Sequence, residues 1–251
     1  MRKEASNRTA PMKRPRIGTA GWSIPSHHAA IFPGSGTHLE RYSRAFNCVE
    51  VNSSFYRSHR LSTWARWADS VPEDFHFAAK APKAITHEAK LNCTIEQLQA
   101  FLQEANTLGQ KLGPILFQLP PSFSFNEPRA KTFFIMLRGL YSASVVLEPR
   151  HPTWFTQEVD QLLRNYEIAR VAADPVITPE ASEPGGNKSL IYYRLHGSPH
   201  TYYSAYSETY LANLAAAILS LSDTEVWCIF DNTAVGAAIE DAQTLQQLLV
   251  K

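Results

Sequence analysis

Residues 145–173 read VVLEPRHPTWFTQEVDQLLRNYEIARVAA and contain one complete strand–helix–strand unit. The unit opens with the apolar run 145–148, continues through a stretch of helical spacing at 157–165, and ends in a second short strand at 169–173. Thr156 stands immediately before the helical stretch, where its hydroxyl is suited to cap the first turn. Such a unit favours two parallel strands in one sheet, with the helix packed on the face of that sheet.

The same alternation of strand and helix extends along the rest of the chain. Eight strands are predicted, at 17–21, 48–53, 76–80, 115–119, 145–148, 169–173, 190–195 and 225–230. Seven helical stretches are predicted, at 39–46, 62–68, 94–108, 128–140, 157–165, 208–221 and 235–249. The connection 174–189 contains three prolines and two adjacent glycines without helical spacing, so a long loop is predicted between strands 6 and 7.

A repeat of about 29 residues per strand–helix unit favours a single TIM-type (β/α)8 barrel of parallel strands over two separate domains. The alternative is a doubly wound open sheet, which usually has a glycine-rich phosphate turn after its first strand. The corresponding turn, Gly-Thr-Ala-Gly-Trp-Ser at 18–23, lacks the third glycine and the helix start. We therefore predict an α/β barrel domain over residues 16–251.

The charge distribution separates a basic N-terminal arm from a mildly acidic body. Residues 1–16 carry six Lys or Arg side chains and one Glu, which leaves 18 bases against 22 acids in the remainder. We predict that residues 1–15 form a disordered arm. A basic arm is able to contact nucleic acid, but an acidic body argues against extended duplex binding, so nucleic acid is not the favoured partner.

Composition excludes several classes of protein. An apolar fraction of 44% and an aromatic fraction of 11% exclude disorder of the whole chain. No apolar run is long enough to span a membrane, and no apolar stretch follows the basic start as in a secretory signal. Three widely spaced cysteines predict neither a disulfide framework nor a cysteine-rich zinc module. The protein is expected to be cytoplasmic and without a membrane partner, and its oligomeric state is left open.

Ionisable and amide side chains cluster at the carboxyl ends of the predicted strands, where barrel enzymes collect their catalytic groups. Glu148 and Arg150 share one face of their strand, and Arg194 and His196 share one face of theirs. Charged groups in shielded positions are costly without partners or a ligand, so a pocket is predicted there. The predicted catalytic residues are Lys80, Glu148, Asp174 and His196, and the predicted substrate-binding residues are Asn52, Tyr56, Gln118, Arg150, Trp154, Arg194 and Asn232.

The cations of this set predict a small anionic ligand. Arg150 and Arg194 present guanidinium groups suited to binding phosphate or carboxylate, and Lys80 is a third cation at the same strand ends. The carboxylates and the histidine then serve as general acid or base in a lyase, isomerase or hydrolase acting on a phosphorylated or acidic sugar-like compound. Lys80 is a candidate for Schiff-base formation if the arginines depress its pKa, and its alternative role is a structural partner for Glu50 or Glu148.

Two further functions are kept as alternatives. Carboxylates and histidines at the strand ends are potential ligands of a divalent metal in a phosphodiesterase-like or endonuclease-like enzyme. Because no short metal-ligand motif is present and three cations oppose ion binding, no cofactor is predicted. A nucleic-acid-binding role would use the aromatic side chains of the predicted loops for stacking. The metal candidates are Glu148, Asp174, His196 and Asp231, with His87 or His151.

Six segments resemble the YecE-like family, known as domain of unknown function 72. They are 17–23 (IGTAGWS), 49–56 (VEVNSSFY), 77–80 (FAAK), 112–123 (LGPILFQLPPSF), 148–155 (EPRHPTWF) and 193–197 (YRLHG). The resemblance implies a TIM-barrel-like fold and supplies no established reaction. Ala20, Ile24 and Asp231 depart from the family pattern. The extra carboxylate of Asp231 is compatible with a different ligand or with a salt bridge to Arg194.

Overall fold

The computed structural model describes residues 14–221 and 223–250. Within these residues the strands are β1 (Arg16–Thr19), β2 (Cys48–Val51), β3 (His76–Lys80), β4 (Leu112–Gln118), β5 (Val145–Glu148), β6 (Ile168–Arg170), β7 (Ala172–Asp174), β8 (Gly185–Gly186), β9 (Leu190–Leu195) and β10 (Glu225–Phe230). The α-helices are α1 (His38–Tyr42), α2 (Leu61–Asp69), α3 (Ile95–Asn106), α4 (Glu127–Leu140), α5 (Gln157–Asn165), α6 (Glu208–Leu219) and α7 (Ala237–Val250). Residues 1–13 of the predicted arm lie outside the described residues.

Local sequence signals place the helices correctly. Each of the seven predicted helical stretches contains an α-helix. The hydroxyl of Thr94 accepts a hydrogen bond from the N–H of Gln97, and the Gln97 side chain accepts one from the N–H of Thr94, which completes a capping box at the start of α3. Thr156 caps α5 through the N–H of Val159, as predicted. These contacts satisfy amide donors that have no partner within the helix.

The prediction of one closed eight-stranded barrel is wrong, because the strands form two sheets. One sheet has four strands in the order β1-β10-β9-β7, and the other has six in the order β2-β3-β4-β5-β6-β8. Neighbouring strands are parallel except for β6 and β8, which are antiparallel. The positions of the helices are correctly predicted. The pairing of the strands, however, is interrupted at two places, between β6 and β7 and between β1 and β2.

At the first boundary the predicted sixth strand is divided between the sheets. Its first part, β6, pairs with β5, and its second part, β7, pairs with β9. The change occurs at Val171, whose N–H still donates to the carbonyl of Leu147 at 2.9 Å. On its other side β6 pairs with β8, a short strand within the segment predicted to be a loop. A Cβ atom at Gly186 would lie 2.4 Å from the carbonyl oxygen of Ile168, and the φ of Gly186 is +61°, so this position favours a glycine.

At the second boundary a side chain replaces the ladder between β1 and β2. The two strands share a single bridge, between Ala20 and Glu50. Elsewhere the hydroxyl of Tyr42 in α1 accepts from the N–H of Thr19 at 2.8 Å and donates to the carbonyl of Cys48 at 3.2 Å. The N–H of Thr19 and the carbonyl of Cys48 are therefore satisfied through Tyr42, whereas the N–H of Gly21 donates directly to the carbonyl of Glu50 at 2.9 Å.

Two apolar clusters hold the sheets and helices together. The larger one joins the helices to the strands, and the smaller one consists mainly of strand residues from both sheets. Val146 and Tyr192 belong to the smaller cluster, and each stands two residues before a charged residue, Glu148 and Arg194 respectively. Because side chains alternate along a strand, these charged residues occupy the next position on the same face. No helix in the described ranges is long and apolar enough to cross a membrane.

Candidate functional site

Arg194 is the centre of a buried cluster of charges at the carboxyl ends of β2, β5, β9 and β10. Its Nε and Nη2 donate to the two oxygens of Glu50 at 3.0 and 2.7 Å. Its Nη1 donates to Glu148 at 3.0 Å, and Nη2 lies 3.0 Å from Asp231. The side chain is fully buried, so this guanidinium is held by three carboxylates from both sheets.

His196 lies between two of the same carboxylates. Its Nδ1 is 3.0 Å from Asp231 and its Nε2 is 2.8 Å from Glu148. Burial alone would lower the pKa of His196, but the charge of Glu148 and the hydrogen bonds to both carboxylates outweigh burial and raise it. Because both ring nitrogens face acceptors, the geometry fits an imidazolium that donates two hydrogen bonds.

Glu148 collects hydrogen bonds from four side chains. Its Oε2 accepts from Arg194, and its Oε1 accepts from His196, from Arg150 at 3.2 Å and from Gln118 at 3.3 Å. Burial would raise the pKa of this carboxyl, but the Arg194, His196 and Arg150 charges lower it well below its usual range. Glu148 is therefore an ionised anchor for the cluster and has little capacity to take up a proton near neutral pH.

Lys80 ends β3 beside this cluster, and the contact described for its amine is with an aromatic ring. The residue is 5% exposed, and Nζ lies 4.3 Å from the centroid of the Phe55 ring. No described residue forms an ion pair or a hydrogen bond with Nζ. Lys80 is therefore not bonded directly to Glu50 or Glu148, the alternative role considered in the sequence analysis. Burial and the charge of Arg194 lower the pKa of Lys80 to about 8.

Arg150 and Asn52 form the more exposed rim of the cluster. Arg150 contacts Glu148 through Nη1 alone, and its side chain is 17% exposed, which leaves its other donors without a described protein acceptor. Asn52 follows β2, whose Val51 pairs with Ala79, so Asn52 lies alongside Lys80. The Oδ1 atom of Asn52 is buried without a hydrogen-bond partner.

Asn232 follows β10 and resembles Asn52 in having a buried side-chain oxygen without a hydrogen-bond partner among the described residues. Its Nδ2 donates to the carbonyl of Ser204 at 2.9 Å and to Asp241 at 2.7 Å, which fixes the amide. Its Oδ1 has no hydrogen-bond partner among the described residues. Buried polar atoms without partners are uncommon in folded proteins, so this atom and the Asn52 oxygen are available to a ligand or a water molecule.

Three of the predicted site residues lie apart from the charged cluster. The Asp174 carboxylate accepts from the hydroxyl of Tyr206 at 2.9 Å, and the hydrogen bond that joins Asp174 to His196 runs through the backbone, from the His196 N–H to the Asp174 carbonyl at 2.7 Å. Trp154 is completely buried and donates to the carbonyl of Phe123 at 2.9 Å, so it belongs to the apolar core. The exposed ring of Tyr56 packs against Phe55 at the surface.

The cluster also contains Glu50, which was not predicted as a site residue, and Asp231, which was predicted only as a metal candidate. Glu50 and Asp231 supply two of its three carboxylates, and the salt bridge suggested for Asp231 and Arg194 is present. The alternation of β2 places Glu50 on the same face as Asn52, which is the signal that would have identified it. Tyr202 lies with its ring centroid 6.0 Å from that of His196 in an edge-to-face arrangement, and no local pattern marks this contact.

The acidic groups of the cluster are occupied by cations. Among the described residues, no set of three or more His, Cys, Asp or Glu side chains has an arrangement able to hold a metal ion. Arg194 and His196 lie between the carboxylates of Glu148 and Asp231, two of the metal candidates, and His196 is itself another of those candidates.

A separate cavity lies at the opposite, amino ends of the strands. A cavity of about 310 Å³ is bordered by Arg138, Glu167 and Asn187, near the amino ends of β5, β6 and β9. Arg138 there donates to the carbonyls of Tyr166 and Glu167, which ties neighbouring elements together.

Fold and site together define a two-sheet α/β protein with a buried Arg–carboxylate–His network at the ends of its parallel strands. The family model described as "Protein of unknown function DUF72" matches residues 16–251. The chain belongs to this family, and the resemblance found in the sequence is confirmed. The family description establishes no activity.

Curated relatives and solved structures agree with this assignment. The chain is 32% identical over 162 residues to the UPF0759 protein YecE of Escherichia coli, a match covering 64% of this chain and 57% of YecE. It is 25% identical over 270 residues to the UPF0759 protein YunF of Bacillus subtilis, which covers 93% of this chain and 94% of YunF. A DUF72 family protein of Thermotoga maritima superposes with a TM-score of 0.79 at 25% identity, covering 95% of this chain and all 100% of that one. A DUF72 family protein of Enterococcus faecalis gives 0.79 at 22% identity, covering 95% and 96%, and shows the fold alone.

Proposed function

We propose that this protein is an enzyme, or an enzyme-like binder, that recognises a small anionic ligand at the carboxyl ends of its strands. The ligand class is a phosphorylated or acidic sugar-like compound, and the reaction class is that of a lyase, isomerase or hydrolase. One observation carries the proposal: the cluster contains a buried amine, Lys80, without a protein acceptor. A buried charge is costly, and an anion would compensate it.

The charge count of the cluster supports a ligand with a negative charge. The charges of the three carboxylates are balanced by Arg150, Arg194 and the imidazolium of His196. Protonated Lys80 is therefore one positive charge in excess. A phosphate or carboxylate group beside Lys80 would restore neutrality, and the lowered pKa of the amine would rise when that group binds.

The proposal gives the two arginines different roles. Arg194 has carboxylate partners for its donors and is completely buried, so it positions the cluster beneath the ligand. Arg150 has donors without a described acceptor and lies at the rim, so it supplies the guanidinium that contacts the anion. In the proposal, Asn52 beside Lys80 and Gln118 beside Glu148 orient the ligand, and Asn232 is assigned the same role through its Oδ1 atom.

Ligand binding to an Arg150 variant tests the proposal. The purified protein is screened by thermal shift against inorganic phosphate, phosphorylated sugars and sugar acids, and the hits are measured by calorimetry. We expect Arg150→Ala to weaken binding by about ten-fold or more, since charge-assisted hydrogen bonds are worth about 1.5–3 kcal/mol. Arg164→Ala is the matched control, because Arg164 is exposed on α5 and bonds only to Gln161.

Either of two outcomes would refute this function. If no anion of the panel raises the midpoint of unfolding, or if Arg150→Ala and Arg164→Ala bind equally well, the anion site is wrong. The same screen includes MgCl2, MnCl2 and a short single-stranded oligonucleotide. Stabilisation by these alone would favour the metal-dependent or nucleic-acid-binding alternative instead.

A further inference from the structure

The surroundings of Lys80 are suited to a primary amine that reacts rather than one that only pairs with a charge. Nζ stands over the face of Phe55 and has no described hydrogen-bond acceptor, so its lone pair becomes free once a proton leaves. Salt-bridged lysines, such as Lys131 with Glu127 at 2.7 Å on α4, are held in the charged form by their partner. Lys80 lacks such a partner although three carboxylates lie in the adjoining cluster.

A second titratable side chain shares the Phe55 ring. The His87 ring packs edge-to-face on Phe55 with centroids 4.8 Å apart, and its Nδ1 is 2.9 Å from the hydroxyl of Thr86. Burial and the Lys80 charge lower the pKa of His87, so its imidazole is mainly neutral at pH 7. The Phe55 ring therefore contacts both the amine and an imidazole that is able to accept a proton.

Fixed cations nearby favour the neutral amine and hold an anionic reactant. Arg194 is permanently charged and contributes to the low proton affinity of Lys80, while Arg150 presents free donors at the rim. A molecule that binds here through an anionic group places its remaining atoms towards Lys80. The two functions, charge recognition and nucleophilic attack, thus fall on different side chains.

We propose that Lys80 forms a Schiff base with an aldehyde or ketone that carries a phosphate or carboxylate group, which is held by Arg150. This inference rests on the proposed function and names the substrate class of the same site. The neutral Nζ attacks the carbonyl carbon, a C–N bond forms, and the carbonyl π electrons move to oxygen, which takes up a proton. Nitrogen then loses its proton and the hydroxyl leaves as water, so the step yields an imine and one water without oxidation or reduction.

Reductive trapping tests the inference. The full chain is incubated with glyceraldehyde 3-phosphate and sodium borohydride, and the adduct is located by peptide mass spectrometry. We expect one main adduct on Lys80, formed about ten-fold faster than with unphosphorylated glyceraldehyde, because binding supplies proximity. Inorganic phosphate should slow the reaction. Lys80→Arg keeps the positive charge and should remove the adduct, whereas Lys83→Arg, at an exposed lysine paired with Glu88, should leave it unchanged.

The outcomes separate this inference from the function on which it rests. Labelling that is spread over exposed lysines, or that is unchanged in Lys80→Arg, overturns the Schiff base. If the wild-type chain binds phosphorylated sugars in calorimetry but gives no adduct on Lys80, the Schiff base fails and the anion site stands. If neither binding nor trapping occurs, both fail. A circular dichroism spectrum and a thermal unfolding curve of Lys80→Arg show whether that variant is folded.

Discussion

Replacing Lys80 by methionine should stabilise the folded protein, because the amine is kept in the interior at a cost. The pKa of Lys80 falls from 10.5 to about 8, and each ten-fold change in proton affinity is worth about 1.4 kcal/mol, so the charged amine costs ~3 kcal/mol. The contact with Phe55 offsets part of this cost, by about 0.5–2 kcal/mol. Methionine has a similar shape and packs well against aromatic rings. We expect Lys80→Met to raise the free energy of unfolding at pH 7 by roughly 1–3 kcal/mol.

The sign of the pH dependence follows from the lowered pKa. Between about pH 8 and pH 10.5 the unfolded chain binds a proton at Lys80 that the folded protein does not, so rising pH stabilises the wild-type protein. Below about pH 8 both states are protonated and the cost is constant. The advantage of Lys80→Met should therefore be full at neutral pH and shrink as the pH approaches 10.5.

Urea denaturation of both proteins at several pH values measures this difference. Lys83→Met is the matched control, because Lys83 is half exposed and its ion pair with Glu88 contributes little. A lower free energy of unfolding for Lys80→Met at pH 7 would refute the reasoning. So would a difference between wild type and Lys80→Met that is the same at neutral and at alkaline pH.

Three further predictions follow from the buried cluster and the core. Glu50→Gln deprives the Arg194 guanidinium of its bidentate carboxylate partner, so it should lower the free energy of unfolding, measured in urea, by about 3–5 kcal/mol. The control Glu127→Gln, in an exposed ion pair, should change this free energy by less than about 0.5 kcal/mol. Asp231→Asn removes one of the two carboxylates that hold the proton of His196, so NMR titration should show a lower imidazole pKa; an unchanged value would contradict the network. Trp154→Phe removes a buried hydrogen bond and should destabilise the protein by about 1–3 kcal/mol, while stabilisation by phosphate remains intact. A variant that folds normally but is no longer stabilised by phosphate would instead place Trp154 in the ligand site.

The arrangement of the cluster explains how a costly site is maintained in a stable fold. Arg194 is paired with carboxylates that come from strands in both sheets. Its charge is therefore fully paired once the two sheets have packed together. Lys80 is placed beside this network without joining it. The energetic cost of burying the Lys80 charge is compensated by the surrounding structure. Here the compensating contacts are the charge-assisted hydrogen bonds of Arg194.

The helices and most strands were predictable from the sequence because they depend on local signals. Apolar spacing and caps such as Thr94 and Thr156 act within a few residues, and the strand ends that carry Glu148 and His196 were identified by alternation. The family resemblance also came from short segments, and it was confirmed over residues 16–251. The same local signals say nothing about which strand edges pair, and the closed barrel inferred from them was wrong.

Tertiary structure alone decided the division into two sheets and the different roles of similar side chains. The sixth strand is divided between the sheets, since β6 pairs with β5 and β8 whereas β7 pairs with β9. In the sequence, Lys80 and Arg194 are both cations at strand ends, and only folding gives Arg194 its partner Glu50, 144 residues away, while leaving Lys80 without one. Local periodicity determines which side chains share a strand face, whereas burial and partners depend on distant segments, which the sequence pattern does not encode locally.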